Sequence, residues 1–309
     1  MSARQTGERR DRDLNNKLFG AILAGILIVF LVSVAILLLS NVVYLARADG
    51  AGGEGGWELF WASVRDRENH FAIRLSVATA AITALLSMVV GIPAAYVLSR
   101  YRLPGSRLID TILDLPIVLP PPVMGISLAI FFSPITGMGR VVEDLTPMWA
   151  VEVMNKVLSV LAGEEIRDEA SWVYTTRGIV LAQFFVACSF GVRAVKAAFD
   201  TIGTRHEDVA RTLGCTRRQA FFRVVLPMAR SGIAAGLVMT WARAMAEFGP
   251  ILFFCGATRF KTEVMPVGMY LHYSIGDIEK AVALVLIMLM ISTVTLVTFK
   301  KLGGRGYLW

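Results

Sequence analysis

The chain has 309 residues, of which 55% are hydrophobic and only 18% charged, with a mean hydropathy of +0.61. Soluble domains carry roughly 25% charged residues, and a globule of this size has too little interior to hide so much apolar surface, so a water-soluble protein is excluded. The formal charge of +7 lies in short loops between apolar runs, a pattern of membrane topology and not of nucleic-acid binding.

Six apolar segments are expected to span the bilayer: 18–45, 75–98, 113–132, 179–192, 232–254 and 281–299. About 20 helical residues at about 1.5 Å each cross a hydrocarbon core of about 30 Å. The first segment follows Arg9, Arg10, Arg12 and Lys17, as a secretory signal would. Its length is well beyond the roughly 7–15 apolar residues of a signal, so it reads as an uncleaved anchor behind a tail at 1–17. In the third segment, Pro116 and Pro120 to Pro122 remove backbone donors. Broken backbone at membrane depth is tolerated only beside protein or a water-filled cavity, so this span is expected either to line a pathway or to kink.

Between the third and fourth spans lies a long loop, 133–177. Thr146-Pro147 reads as a helix cap followed by proline at the first helical position. Glu152, Asn155, Lys156 and Ser159 share one face of a helix expected over 149–161, too short to span. The fourth span is short unless it continues through 194–199. After it, residues 200–230 form a basic loop. Thr204 with Glu207 and Thr216 with Gln219 are spaced as capping boxes, with Gly214 placed to end the first helix in a left-handed conformation. Two short helices about a glycine hinge are expected. In the fifth segment Arg243 and Glu247 are four apart and share a helical face. Unpaired at mid-bilayer each would cost roughly 2.5–3.5 kcal/mol, so they are expected to pair, as a structural device or at a gate. Gly232 and Gly236 have the spacing that lets helices approach closely.

With the N-terminus inside, the cytoplasmic segments hold 19 Lys and Arg and the outer ones 11, Arg243 lying within a span. That asymmetry places both termini in the cytoplasm of a multi-pass protein of the cell membrane. Cys188, Cys215 and Cys255 are an odd number without close spacing, and His70, His206 and His272 are isolated. Neither a disulfide framework nor a metal site is expected. A membrane enzyme would need clustered His, Asp or Ser near one face, and a secondary carrier more intramembrane carboxylates than Glu247; the sequence offers neither.

Asp208-Val209-Ala210, three residues, Gly214, nine residues, then Val224-Val225-Leu226-Pro227 resembles the Glu-Ala-Ala loop of ABC-importer permeases, with Asp208, Val209 and Val224 departing from its usual residues. The stretches 115–122, 241–249, 261–266 and 276–279 are similar to the molybdate/tungstate permeases, with sulfate relatives close behind. The resemblance implies an all-α integral membrane fold of about six transmembrane helices, a permease domain over 71–299, and a short tail at 300–309. It implies a coupling role for Glu207, Asp208, Ala210, Arg211, Gly214, Leu226 and Pro227, and a pathway or gate at Pro120, Pro121, Arg243, Glu247 and Phe248. It also implies partners: cytoplasmic ABC ATPase subunits, an extracytoplasmic substrate-binding protein, a second copy of the chain and membrane lipid, with no nucleic acid and no cofactor. No GxxxxGK[ST] loop occurs, so ATP hydrolysis is expected on another polypeptide and not on this chain.

Overall fold

The computed structural model describes residues 2–47, 55–101, 103–166 and 171–302, with side chains from Lys17 to Thr298 in those ranges. The described residues form helices throughout. In chain order these are α1 (Ser2–Arg47), α2 (Gly56–Arg65), α3 (Arg67–Arg100), α4 (Ser106–Val118), α5 (Pro121–Phe131), α6 (Met138–Leu145), α7 (Met148–Ala162) and α8 (Thr176–Ile202). They continue as α9 (Arg205–Thr212), α10 (Arg217–Ala220), a π-helical turn (Phe221–Val225), α11 (Leu226–Met228), α12 (Arg230–Met245), α13 (Gly249–Cys255), α14 (Met265–Ser274) and α15 (Ile278–Leu302). Residues 48–54, which hold most of a short glycine-rich stretch at 50–56, and the end of the tail, 303–309, lie outside the described residues.

The chain divides into two units, 1–61 and 62–309. The first is dominated by α1, one uninterrupted helix that already begins at Ser2, upstream of the anchor expected at 18. Its apolar stretch is hydrophobic around the whole circumference, as a lipid-embedded helix must be. The Ser33 and Ser40 hydroxyls and the Asn41 amide nitrogen donate to carbonyls three or four residues back.

In the second unit α3, α8 and α12 pack on one another, and small residues set their separation. A Cβ on Gly191 would strike Thr240 and Met88, one on Gly232 would strike Ala198, and one on Gly236 would press on Val195. The glycine pair of α12 therefore serves close approach to α8, the packing that replaces hydrophobic driving force in lipid. Four helical stretches are long and apolar enough to cross a membrane: Lys17–Arg47, Arg67–Arg100, Thr176–Ile202 and Ile278–Thr298. Two bent pairs raise the number to six. The fourth span does run on past Val192, to Ile202.

Two expected spans are not single helices. The third is α4 and α5, which meet at 108°. Pro120, Pro121 and Pro122 withhold three consecutive donors, from the carbonyls of residues 116 to 118, and α4 ends at Val118. The fifth ends at Met245, nine residues short of the expected 254. Pro250 has no N–H for the carbonyl of Ala246, so the helix stops there and α13 restarts at Gly249. A second bend, of 69°, separates Arg217–Met228 from α12.

The described residues of the long loop 133–177 include two helices, α6 and α7. Helix α7 covers the expected 149–161, buries Val151, and places Leu158 and Ala162 in the core that also holds Phe71 and Leu75 of α3. Thr146 is not its cap. The Thr146 hydroxyl donates to Val142 O at 2.6 Å and closes α6, while Pro147 occupies the N-cap position of α7. Being β-extended there, Pro147 starts the helix through its fixed φ without a side-chain acceptor.

Candidate functional site

The first cluster of interest sits where α3 and α8 end together. Helix α9 starts at Arg205, as its spacing predicts, and stops in a paired terminus: Gly214 at φ +90° donates to Arg211 O at 3.1 Å, and Cys215 donates to Ala210 O at 3.1 Å. This double closure needs a left-handed residue, which glycine supplies at no steric cost. The following helix opens with the expected capping box, Gln219 N–H donating to Thr216 Oγ1 and Thr216 N–H to Gln219 Oε1.

The first capping box does not form. Thr204 has helical backbone and makes no side-chain cap bond, the Glu207 N–H donating to its carbonyl instead, and the carboxylate of Glu207 has other partners. It takes the Arg100 Nε of α3, and Tyr96 Oη donates to its other oxygen at 2.9 Å. Arg100 also reaches Gly203 O at 3.3 Å and Ser99 Oγ at 3.0 Å. The Arg100 and Glu207 side chains are only 7% and 14% exposed, so the pair holds firmly, and charge-assisted bonds of this kind are about twice as strong as neutral ones. The ring of Tyr96 packs edge-on to Phe221, 4.6 Å between centroids, and to Phe199. Ser99 and Lys196 both bond Asp200, closing α3 onto α8.

The predicted coupling residues thus separate by role. Glu207 and buried Ala210 face inward and fasten α9 to the bundle. Asp208, Arg211, Val209 and Leu213 face outward, Val209 52% and Leu213 81% exposed. Leu226 is half-buried and Pro227 exposed, in the turn of helix that leads to the 69° bend. Arg100 and Tyr96 were invisible as site residues in the sequence. A basic residue and an aromatic one at the end of a span are ordinary interfacial anchors, and only the fold reveals their distant carboxylate. The same holds for Arg193 of α8, which bonds Asp110 and Asp114 on α4 at 3.1 and 2.8 Å.

The second cluster is the break between α12 and α13. Arg243 and Glu247 form the expected ion pair, Glu247 being buried and Arg243 lying over the Phe190 ring at 5.5 Å. The carbonyl of Ala244, exposed to the break, accepts from Gln183 Nε2 at 3.1 Å, while Gln183 Oε1 accepts from Thr83 Oγ1 at 3.1 Å. Thr83 and Gln183 are fully buried and hold the broken end to α3 and α8. Phe248 caps α13 and stacks near Tyr270, 5.1 Å between centroids.

The proline stretch of α5 comes to the same place. A Cβ on Gly249 would lie 3.0 Å from Pro122 N and 3.1 Å from Pro121 C, and one on Gly125 would lie 2.9 Å from Pro250 Cα. The two broken helices therefore cross backbone to backbone. Pro120 and Pro121 are exposed, and Pro121 lies against Gly249, the residue after Phe248. What the site offers is bent backbone, one neutralised ion pair and no cluster of nucleophile and base.

Residues 67–304 match the family described as binding-protein-dependent transport system inner membrane component. The chain belongs to that family. Among its relatives, the sulfate transport system permease protein CysT of Escherichia coli is 30% identical over 249 residues, 81% of this chain and 82% of the relative. The molybdenum transport system permease protein ModB of Mycobacterium tuberculosis is 34% identical over 236 residues, 76% and 80% of the two chains. The molybdate/tungstate transport system permease protein WtpB of Thermococcus kodakarensis is 36% identical over 59% of each. These relatives are transport permeases and not enzymes. A bacterial ABC transporter that imports the acidic polysaccharide alginate has the same fold, with a TM-score of 0.64 at 18% identity over 90% of this chain and 94% of its own. The MetNI methionine ABC transporter follows at 0.53 and 16%, over 80% and 96%.

Proposed function

We propose that this protein is the permease subunit of an ABC importer, carrying an oxyanion, molybdate or tungstate, that an extracytoplasmic binding protein delivers. The observation that carries the reading is the construction of α9. Its inner face is bolted to Arg100 and Tyr96, and its outer face offers Val209, Leu213 and Asp208 to a partner. A chain without a phosphate-binding loop must receive work through a stiff contact, and a helix closed at its end and tied to a span is stiff. The partner is a separate cytoplasmic ATPase, and two copies of this chain pair around the path. The excess of Lys and Arg on the α9 side of the spans supports a cytoplasmic α9 and cytoplasmic termini.

Motion imposed on α9 passes through Arg100 into α3, and from α3 through Thr83 and Gln183 to the α12–α13 break. There the path is gated by the crossing of α5 and α13. The Arg243–Glu247 pair carries no net charge, so the gate offers a dianion passage without a deep well.

Sulfate is the competing cargo, favoured by the similarity to CysT. The test is uptake into vesicles holding this chain with its ATPase and binding protein. ATP-dependent molybdate or tungstate uptake that resists a tenfold excess of sulfate is expected. Suppression by sulfate assigns the sulfate reading, and equal uptake without ATP overturns the ABC mechanism.

A further inference from the structure

A cavity of about 520 Å³ opens between the last turns of α3 and the helix that follows Gly214. Its wall is Val89, Ile92, Val97, Phe221 and Leu226, and its rim holds Arg217, Arg218 and the Tyr101 hydroxyl. We propose that this groove binds one anionic phospholipid, an acyl chain along the α3 wall and the phosphate between Arg217 and Arg218.

Charge and depth choose the occupant. The lining contains two guanidiniums and no carboxylate, and neither arginine has an ion-pair partner among the described residues. Both are exposed and held in place by aromatic rings. Arg217 Nη1 donates to Tyr101 Oη at 3.2 Å, leaving the Tyr101 O–H free to donate outward, and Arg218 lies over the Phe222 ring at 6.0 Å. A phosphodiester accepts from such a pair, with the planar guanidinium edge giving two bonds at once. The wall climbs α3 from Arg100 to Val89, about 16 Å at the helical rise, along a helix long and apolar enough to cross a bilayer. No water-soluble subunit reaches that depth. A second copy meeting this one patch to patch would set the same cations against each other. Val89 and Val90, 71% and 51% exposed, continue the wall toward the surrounding acyl chains. Basic pockets beside spanning helices recognise lipid headgroups by this combination.

The site depends on α3 spanning the membrane and not on which anion is carried. The full-length protein, in a neutral detergent, is titrated with phosphatidylglycerol, phosphatidylcholine and inorganic phosphate while bound lipid is counted by native mass spectrometry. Phosphatidylglycerol is expected to be retained and to raise the thermal midpoint, with the other two doing neither. Arg217→Gln should weaken retention about fivefold and the double variant with Arg218→Gln about 25-fold, a fivefold step per cation. Val89→Trp, which fills the groove and keeps both arginines, should abolish retention. Equal binding of phosphatidylcholine, or a response to phosphate alone, overturns the proposal. So does intact lipid selectivity in the double variant, and if that variant instead loses its co-purifying ATPase, the arginines dock protein.

Discussion

Glu263 is the residue whose surroundings most constrain its protonation. It lies buried in the loop before α14, one carboxylate oxygen without a donor, against the Glu68 carboxyl, with Arg259 bound to Glu68 at 2.8 Å and Asp66 nearby. Burial first, and the charge of Glu68 second, push its pKa well above the usual carboxylate range. The folded state therefore holds a proton that the unfolded chain releases, and each unit of such a shift is worth about 1.4 kcal/mol. Stability from this group is complete below about pH 4.3 and is lost as pH rises through the raised folded pKa. The wild-type thermal midpoint should fall between about pH 5 and about pH 8, and Glu263→Gln, which mimics the protonated form, should flatten that fall. At this scale the sequence was uneven. Arg243 and Glu247 were legible because helical spacing puts them on one face. Glu207 was misread as a cap because local spacing cannot weigh a rival such as Arg100, 107 residues away.

Among elements, the proline-broken helices are the feature on which the proposed path depends. The sequence marked the third span as broken or kinked through Pro116 and Pro120 to Pro122, since a missing donor is a local fact. It did not mark the break after Met245, because Pro250 stands inside an apolar run and its effect falls four residues earlier, at Ala246. The partnership of the two breaks was invisible, as it arises from Gly125 and Gly249 meeting across the fold. Gly125→Ala would place a methyl 2.9 Å from the backbone of Pro250. Such overpacking costs about 1–3 kcal/mol, so the thermal midpoint of the purified variant should drop. Gly25→Ala, whose Cβ meets nothing within 4 Å, should leave it unchanged or slightly raised. Equal effects from both would remove the crossing from the account. Helix α7 and the α9–α10 turn were found by sequence periodicity and capping signals, which are local; the burial of α7 against α3 was not.

For the whole molecule, composition alone pointed to a bilayer, and the apolar segments gave the long helices but not α2, α6 or α14. Their count as straight spans failed only at the two proline breaks. What joins the parts is one line of contacts: α9 to Arg100, α3 to Gln183, and Gln183 to the open end of α12.

The most direct test is uptake and ATP hydrolysis measured together in vesicles containing the assembled transporter with Asp208→Arg. Asp208 is exposed, and its ion-pair contact among the described residues is a long one, 4.0 Å, with Arg211, so the variant should insert and unfold like the wild type. Reversing its charge at the docking face should lower uptake roughly tenfold, the loss of about 1.4 kcal/mol of contact. Unchanged uptake and unchanged hydrolysis in a fully assembled variant would contradict the claim that α9 receives the driving force.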